Sequence, residues 1–368
     1  MEILCEIRNH VAFITLNRPA ALNALSFGMI ETLTLRLKGF IADPSVHAVL
    51  IQGAGEKAFC AGGDIRALYE SHVNGSKLQL DFFASEYPLD YLLRFYPKPY
   101  VALVNGITMG GGMGIAQGSK LRIASDRTRM AMPECAIGFF PDVGASYFLS
   151  RLPGELGRYL ALSGAQIRAA DTLYCGLADF YLPPANIEAL FRGLEALSWP
   201  DEMHAREMAV GDLVQSLAAS PGPAPLKAVR AAIDRHFAAE AVPDILASLR
   251  SESEPPYQSW AEETAKLMSA RSPTMLKVAH EQLNRGRTLG FADCLRMEIG
   301  MAHQSFMQGD FVEGIRALVI DKDNAPKWRP ARLEDVSAAA VADIFKNPWE
   351  GSAHPLSNLE GVIPHAAQ

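Results

Sequence analysis

Apolar and polar positions change period several times along the chain, and each change marks a predicted element. Leu4 to Arg8 and Val11 to Asn17 are β-prone runs broken by Asn9-His10, which predicts a hairpin ended by Asn17-Arg18-Pro19. From Ser26, a residue suited to cap a helix, Ile30, Leu33, Leu37 and Ile41 recur at helical spacing until Asp43-Pro44 stops them. The continuous apolar run Ala48 to Gln52 predicts a buried strand. It empties into Gly53-Ala54-Gly55 and then F-C-A-G-G-D, where Asp64 can cap a helix beginning at Ile65. Lys77 to Arg94 reads as a helix, closed by Pro97 and Pro99 ahead of a strand, Tyr100 to Asn105. That strand opens into a glycine-rich stretch, Gly106 to Gly114, and Leu121 to Ser125 and Thr128 to Ala131 follow as short strands. Strands alternating with helices predict an α/β arrangement with ligand loops at strand ends.

After Gly144 the pattern is mainly helical, with segments at Leu156 to Leu162, Ala169 to Cys175 and Asn186 to Leu197. The composition shifts at Trp199-Pro200, Ser220 to Pro225 reads as a linker, and Glu254-Pro255-Pro256 is a second break. Further helices are predicted at Lys227 to Phe237, Tyr257 to Met268, Met275 to Arg285 and Phe291 to Phe306, and the chain beyond Pro330 reads as irregular. This divides it into an α/β core over 1–199, a helical region over 200–330 and a tail over 331–368.

Composition narrows the partners more than the fold. A length of 368 residues allows two domains or one large one with an extension. With 49% hydrophobic and 20% charged residues, usage is that of an ordinary soluble globular protein. A formal net charge of −7 with no long basic block argues against nucleic acid, while local cations or helix N-termini could still hold a small polyanion. No apolar run approaches roughly 18 residues, so no membrane span is expected. The first residues carry no basic region followed by an apolar core, which leads us to expect the cytoplasm. The five cysteines (Cys5, Cys60, Cys135, Cys175 and Cys294) are scattered and never spaced as C-x-x-C, so they are expected as free thiols in a reducing compartment rather than as zinc ligands or disulfides.

The candidate chemistry lies in Met132 to Gly144, M-P-E-C-A-I-G-F-F-P-D-V-G. Glu134 and Asp142 each follow a proline, which places both in loops rather than inside a helix or sheet. Carboxylates in loops are usually just solvated, but the apolar run between these two offers walls that could raise a carboxyl pKa into the range of a useful acid or base. Upstream, Ala61-Gly62-Gly63-Asp64 and Gly110-Gly111-Gly112 each lie between a strand and a helix. Tight turns or close backbone packing would account for either; together they could supply two backbone N–H groups to an oxyanion. Other motifs fail. Gly110 to Gly114 does not meet G-x-G-x-x-G, no P-loop is present, Gly144 to Phe148 lacks a nucleophile elbow, and Ala279-His280-Glu281 is not a zinc motif. His10, His47 and His280 read as surface or turn residues, and Glu86, taken alone, as a solvated helix face.

F-C-A-G-G-D-I at Phe59 to Ile65, V-N-G-I-T-M-G-G-G-M-G at Val104 to Gly114 and M-P-E-x-A-I-G-x-F-P-D-V-G at Met132 to Gly144 resemble the crotonase (enoyl-CoA hydratase/isomerase) superfamily. More closely they resemble its 3-hydroxyisobutyryl-CoA hydrolase branch, and the resemblance continues through Gly309 to Ala317 and Asp321 to Trp328. It implies a crotonase-like spiral of ββα turns with a helical C-terminal region, and an acyl-CoA thioester as substrate. Gly63 and Gly111 match the residues whose N–H groups hold the thioester oxygen. Glu134 matches the catalytic glutamate, Asp142 the aspartate characteristic of the hydrolase branch, and Glu86 a substrate-contacting glutamate. Gly114 stands where hydratases of the superfamily carry a second glutamate. The implied reaction is hydrolysis of 3-hydroxyisobutyryl-CoA, as in valine catabolism, with no metal or redox cofactor and with coenzyme A entering only as part of the substrate. A 3-hydroxypropionyl thioester would fit the same donors. The alternatives are an enoyl-CoA hydratase or isomerase of the same fold, and an inactive acyl-CoA-binding homologue. No feature of the helical half sets an oligomeric state.

Overall fold

The hairpin forms as expected: β1 (Ile3–Arg8) pairs antiparallel with β2 (Val11–Leu16), and Asn9 and His10 turn the chain with φ of 41° and 67°. The structure is a computed structural model that describes residues 1–350 and 352–364; Gly351 and 365–368, which fall in the expected tail, lie outside the described residues. In α1 (Phe27–Ala42) the Ser26 hydroxyl accepts the Met29 N–H at 3.2 Å, and Ile30, Leu33, Leu37 and Ile41 are all buried. Capping by serine satisfies one of the helix's unpaired donors, and the apolar stripe supplies the burial that keeps the helix in place.

From here the chain winds as a spiral. β3 (Ala48–Gly53), β4 (Ala58–Cys60), α2 (Ile65–Val73) and α3 (Leu78–Arg94) make one turn. β5 (Tyr100–Val104), β6 (Ile107–Met109) and α4 (Gly111–Gln117) make the next. β7 (Leu121–Ala124) and β8 (Arg129–Ala131) begin a third, which runs through α5 (Ala145–Phe148) and α6 (Leu156–Ser163). It is completed by β9 (Ile167–Arg168), α7 (Ala169–Cys175) and β10 (Phe180–Tyr181). The first two turns give one strand, and the third two, to each of two sheets, ordered β1-β2-β3-β5-β7-β10 and β4-β6-β8-β9. All pairings are parallel except β1 with β2 and β8 with β9. This is the α/β spiral of ββα turns that the resemblance implies.

The outer face of the larger sheet is covered by α8 (Pro184–Ala196) and α9 (Met203–Leu217). Leu190, Leu194, Val210 and Val214 pack there against Val11, Phe13, Leu50 and Val101. Such side chains contribute about 1.5–3 kcal/mol each when fully buried. The expected boundary at 199/200 therefore falls between two helices that share one sheet face.

The remaining helices are α10 (Pro225–Phe237), α11 (Val242–Arg250), α12 (Pro255–Ser269), α13 (Pro273–Gly286), α14 (Phe291–Gln308), α15 (Asp310–Ile315) and α16 (Ala338–Ile344). Pro225, Pro255 and Pro273 each take the first helical position, where a missing N–H costs nothing. The Pro-rich breaks expected from the sequence therefore run directly into helices. The stretch after Pro330 is less irregular than expected. It carries α16, buries Val336, Ile344, Leu356 and Leu359, and is tied back where Arg296 pairs with Glu360 at 2.7 Å. Helical region and spiral share one core: Phe306 and Phe311 pack edge-on or tilted against Phe83 and Phe139, with ring centroids 4.4–6.3 Å apart. That aromatic cluster sets the C-terminal helices over the ends of the smaller sheet.

Candidate active site

Gly63, Gly111 and Glu134 each follow a strand of the smaller sheet, β4, β6 and β8 respectively, by no more than three residues. Parallel register, with Ile107 opposite both Ala58 and Arg129, brings the three loops to one edge. Leu25 bridges the first loop, donating its N–H to the Gly62 carbonyl and accepting that of Asp64. The Gly63 N–H between them donates to no protein group among the described residues. Gly111 is the first residue of α4, so its N–H is one of the helix's unpaired donors. The two backbones are close: a Cβ built on Gly111 would stand 3.5 Å from the Gly63 nitrogen, 3.2 Å from Leu25 Cδ1, and against Glu86 Oε1. A side chain at 111 would thus have to push aside the ends of Leu25 and Glu86, and the Gly63 and Gly111 backbones approach one spot.

That spot opens into a cavity of about 210 Å³ lined by Gly63, Gly111, Phe82, Glu86, Glu134 and Asp142. Glu134 opens a short 3₁₀ turn, Glu134–Ile137, with Pro133 preceding it. Its side chain is buried and Oε2 has no hydrogen-bond partner. Burial, reinforced by the nearby Asp142 charge, pushes its pKa well above the usual carboxylate range. Asp142 follows Pro141 in a loop, and its Oδ2 accepts the Tyr87 hydroxyl at 2.9 Å. Burial raises its pKa to about 7, with the Tyr87 hydrogen bond opposing part of the rise. The structure thus confirms that neither carboxylate is mid-helix or mid-sheet, and it brings the two together with both glycine loops.

Glu86 departs from its isolated sequence reading. Far from being solvated, it is 3% exposed on α3, with Oε1 unpartnered and its pKa raised by burial and then by Asp142. Phe82, Phe83, Glu86, Tyr87 and Asp90 share the buried stripe of that helix. His280 is a second departure: it is buried on α13, where Nε2 lies 3.3 Å from the Ala239 carbonyl. His10 is exposed and stacks on His47.

Three more groups support the site and went unnoticed in the sequence. Tyr87 holds Asp142. Asp90 is buried beside Glu86 with Oδ2 unpartnered, and burial followed by the Glu86 and Asp142 charges raises its pKa well above the usual range. Glu298 comes from α14, and its two oxygens accept the N–H groups of Gly144 at 2.7 Å and Ser146 at 2.9 Å. It thereby pins the loop that carries Asp142, while Gln282 donates to the Pro141 carbonyl from the other side. The signal was legible: Cys294, Leu295, Glu298, Ile299 and Met301 form the apolar stripe of α14.

Glu298 carries a testable consequence. Its pKa is raised by burial to about 8, so the folded state holds a proton that the unfolded chain releases near the usual glutamate range. The folded state binds more protons between those values, so stability must fall as pH rises through them. At about 1.4 kcal/mol per pKa unit, the loss between pH 5 and pH 9 is a few kcal/mol. Glu86, Asp90, Glu134 and Asp142, also raised by burial, add to the same decline, so Glu298→Gln should remove Glu298's share of it; thermal melts across that range with a slope wholly unchanged from wild type would show that Glu298 contributes none of it.

Residues 11–345 match the family described as enoyl-CoA hydratase/isomerase. The chain is 40% identical over 346 residues to the mitochondrial 3-hydroxyisobutyryl-CoA hydrolase of Danio rerio, covering 94% of this chain and 90% of that protein. It is 40% identical over 352 residues to 3-hydroxyisobutyryl-CoA hydrolase 1 of Arabidopsis thaliana, covering 94% and 91%. Among solved structures, a carnitinyl-CoA dehydratase from Mycobacterium thermoresistibile superposes with a TM-score of 0.86 at 40% identity, over 94% of this chain and 96% of the other. An enoyl-CoA hydratase from Rhodobacter sphaeroides gives 0.84 at 36% identity, over 95% and 98%.

Proposed function

The chain belongs to the enoyl-CoA hydratase/isomerase family, and we propose that within it this enzyme hydrolyses 3-hydroxyisobutyryl-CoA to 3-hydroxyisobutyrate and CoA. The observation that carries the reading is the meeting of two free backbone donors, Gly63 and Gly111, with an unpartnered buried carboxylate, Glu134, in one small chamber. The thioester oxygen sits between the two N–H groups, which hold it more strongly as negative charge develops on it. Glu134 acts on the carbonyl carbon, either attacking it to give a mixed anhydride or taking a proton from the water that attacks. Label in Glu134 after a single turnover in ¹⁸O-water would establish the anhydride, because water attacking its glutamyl carbonyl leaves ¹⁸O there whereas the general-base route puts it only in the product; trapping of the anhydride by hydroxylamine as a Glu134 hydroxamate covers attack at the other carbonyl.

Asp142 and Glu86 receive the hydroxyl end of the acyl group, Asp142 also relaying the proton that the departing thiolate needs. A chamber built to hydrogen-bond a hydroxyl discriminates against acyl groups lacking one, since its polar groups would be left unpaired. These steps use only groups of this chain, the substrate and one water molecule, and no metal or redox cofactor is part of the proposal. The reaction would serve valine catabolism. Sequence features led us to a cytoplasmic location, whereas several relatives are named mitochondrial; a reducing compartment agrees with five free cysteines among the described residues. Among the described residues no helix is long and apolar enough to cross a membrane.

Both solved structures bear names of water-adding or water-removing enzymes, so the competing reading is hydration of an enoyl-CoA. Gly114 speaks against it. A Cβ there would lie 2.5 Å from Asp90 Oδ1 and 2.8 Å from Val143 Cβ, leaving no room for the second glutamate that the resemblance associates with hydration. Thiol release from 3-hydroxyisobutyryl-CoA, measured beside water addition to crotonyl-CoA, decides the matter: hydration without thiol release would overturn the hydrolase.

Asp142→Asn gives a sharper signature than lost rate alone. Turnover should fall by roughly a hundredfold or more. The Asp142 charge is the second contributor to the raised pKa of Glu134, so neutralising it should also move the acidic limb of the kcat/KM profile to lower pH. An unmoved limb would mean that the two carboxylates do not interact during turnover.

A further inference from the structure

Glu134 Oε2 is buried without a hydrogen-bond partner among the described residues, so no bond at that oxygen aims the carboxylate. Its direction comes from the backbone beneath it, the 3₁₀ turn Glu134–Ile137, which ends at Gly138 with a left-handed φ of 70°. Turns of this kind are short and have poor hydrogen-bond geometry, so they keep their place through what packs on them. Here the packing comes from α13 and α15.

The contact with α15 is backbone on backbone. A Cβ built on Gly138 would strike the Asp310 carbonyl, and one built on Gly314 would strike the carbonyl of Ile137. Phe311, beside Asp310, lays its ring 4.4 Å from that of Phe139, centroid to centroid. On the α13 side, the Ser272 N–H donates to the carbonyl of Cys135, the residue after Glu134, at 3.0 Å. Asp310 joins the two supports. Its carboxylate is 2% exposed. Oδ2 accepts the Ser272 hydroxyl at 2.6 Å, and Oδ1 accepts the Arg329 N–H at 3.0 Å. The same Ser272 oxygen accepts the Met275 N–H at 3.1 Å, which caps α13. No step of the hydrolysis uses the stretch Gly309 to Ala317, yet its Asp310 and Gly314 both bear on the turn that carries Glu134.

We propose that Asp310 is a positioning residue for Glu134: through Ser272, and with its own carbonyl against Gly138, it fixes the turn that aims the catalytic carboxylate into the chamber. The inference rests on Glu134 as the chemical group of the thioester reaction and adds a residue that acts through it. Asp310 does not line the chamber and touches no substrate. Support of this kind matters because a reacting group must be held close to its productive geometry by neighbours that are themselves locked.

The bland alternative is an anchor for α13 and Arg329 that affects stability alone, and the test separates the two. The full chain is compared as wild type, Asp310→Ala, Glu134→Gln and the double variant. A misplacement of about 1 Å can cost a hundredfold, so Asp310→Ala should lower kcat by roughly tenfold to a hundredfold. Binding of the unreactive thioether S-butyl-CoA, which reads the rest of the site, should weaken by less than about threefold. Introduced into Glu134→Gln, Asp310→Ala should cost nothing further, because the group it aims is gone; general damage to the site would multiply instead. Asp310→Asn, which can still accept from Arg329 and donate to Ser272, should restore most of kcat, and an asparagine as slow as the alanine would overturn the proposal. Amide exchange over residues 133–140 should quicken by roughly tenfold or more in Asp310→Ala while α1 exchanges as in wild type. Full multiplication in the double variant, or unchanged exchange over that stretch, is equally fatal. Should Asp310→Ala fail to fold, Ser272→Ala, which keeps the bond to Cys135 but cuts the carboxylate out of the chain of contacts, must still lower kcat severalfold without multiplying, and its failure to do so decides against Asp310. Wild-type enzyme releasing no thiol from 3-hydroxyisobutyryl-CoA would sink the assigned reaction and leave amide exchange to judge the support of the turn.

Discussion

Glu134→Gln is expected to lower turnover of 3-hydroxyisobutyryl-CoA by on the order of a thousandfold or more, in a protein whose melting and circular dichroism follow wild type. The amide is nearly isosteric with the carboxyl group, so the chamber keeps its shape. What disappears is a buried carboxylate with an unpartnered oxygen, which lines the chamber together with the two backbone donors. No salt bridge is lost with it, so the damage falls on rate rather than stability. The pH dependence adds a second reading. With its pKa held well above the usual carboxylate range by burial and by Asp142, Glu134 becomes a base or nucleophile only as pH rises. In wild type, kcat/KM should therefore climb with pH through a region above that of ordinary carboxylates, and the residual activity of the variant should lack this limb. Steady-state rates of thiol release across pH measure both; a variant within tenfold of wild type would remove Glu134 from the chemistry.

Why that residue could be found in the sequence, and others not, follows from where the information lies. Both glycine loops and both prolines are local signals: a strand running into Gly63 or Gly111, or Pro133 ahead of Glu134, restricts the backbone within a few residues. Four helices of the C-terminal half, α10, α12, α13 and α14, were likewise legible from period, with first-turn errors where Pro225, Pro255 and Pro273 open helices rather than interrupt them, whereas α9, α11, α15 and α16 were not expected. Glu86 was nominated only by resemblance, and Asp90 and Glu298 were not nominated at all. An acidic residue on a helix is ordinarily exposed, and only its phase on the buried stripe of α3 or α14 says otherwise. The two-residue strands β9 and β10 carry no period to read, and they exist because β8 and β7 offer them an edge. Val143 adopts φ 54°, a left-handed backbone that no signal in composition or spacing announces.

Gly111→Ala should divide stability from catalysis in the opposite way to a core mutation. Alanine is a better helix former than glycine and Gly111 is the first residue of α4, so the helix itself should gain a few tenths of a kcal/mol. The added methyl, however, would stand 3.5 Å from the Gly63 nitrogen, where it is expected to crowd the thioester oxygen proposed to lie between the two donors. Loss of one oxyanion donor typically costs about a hundredfold to a thousandfold in kcat, and a blocked pair should cost at least as much. The same methyl also meets Glu86 Oε1, which offers a rival explanation: the rate could fall because Glu86 is pushed aside. Glu86→Ala makes room for the methyl and separates the two. If the blocked donors are the cause, Gly111→Ala will impose a similar further loss on the Glu86→Ala background, and the two effects will multiply. If displacement of Glu86 is the cause, the double variant will be no slower than Glu86→Ala alone, and the free energies will fall short of additivity by the whole effect of the methyl.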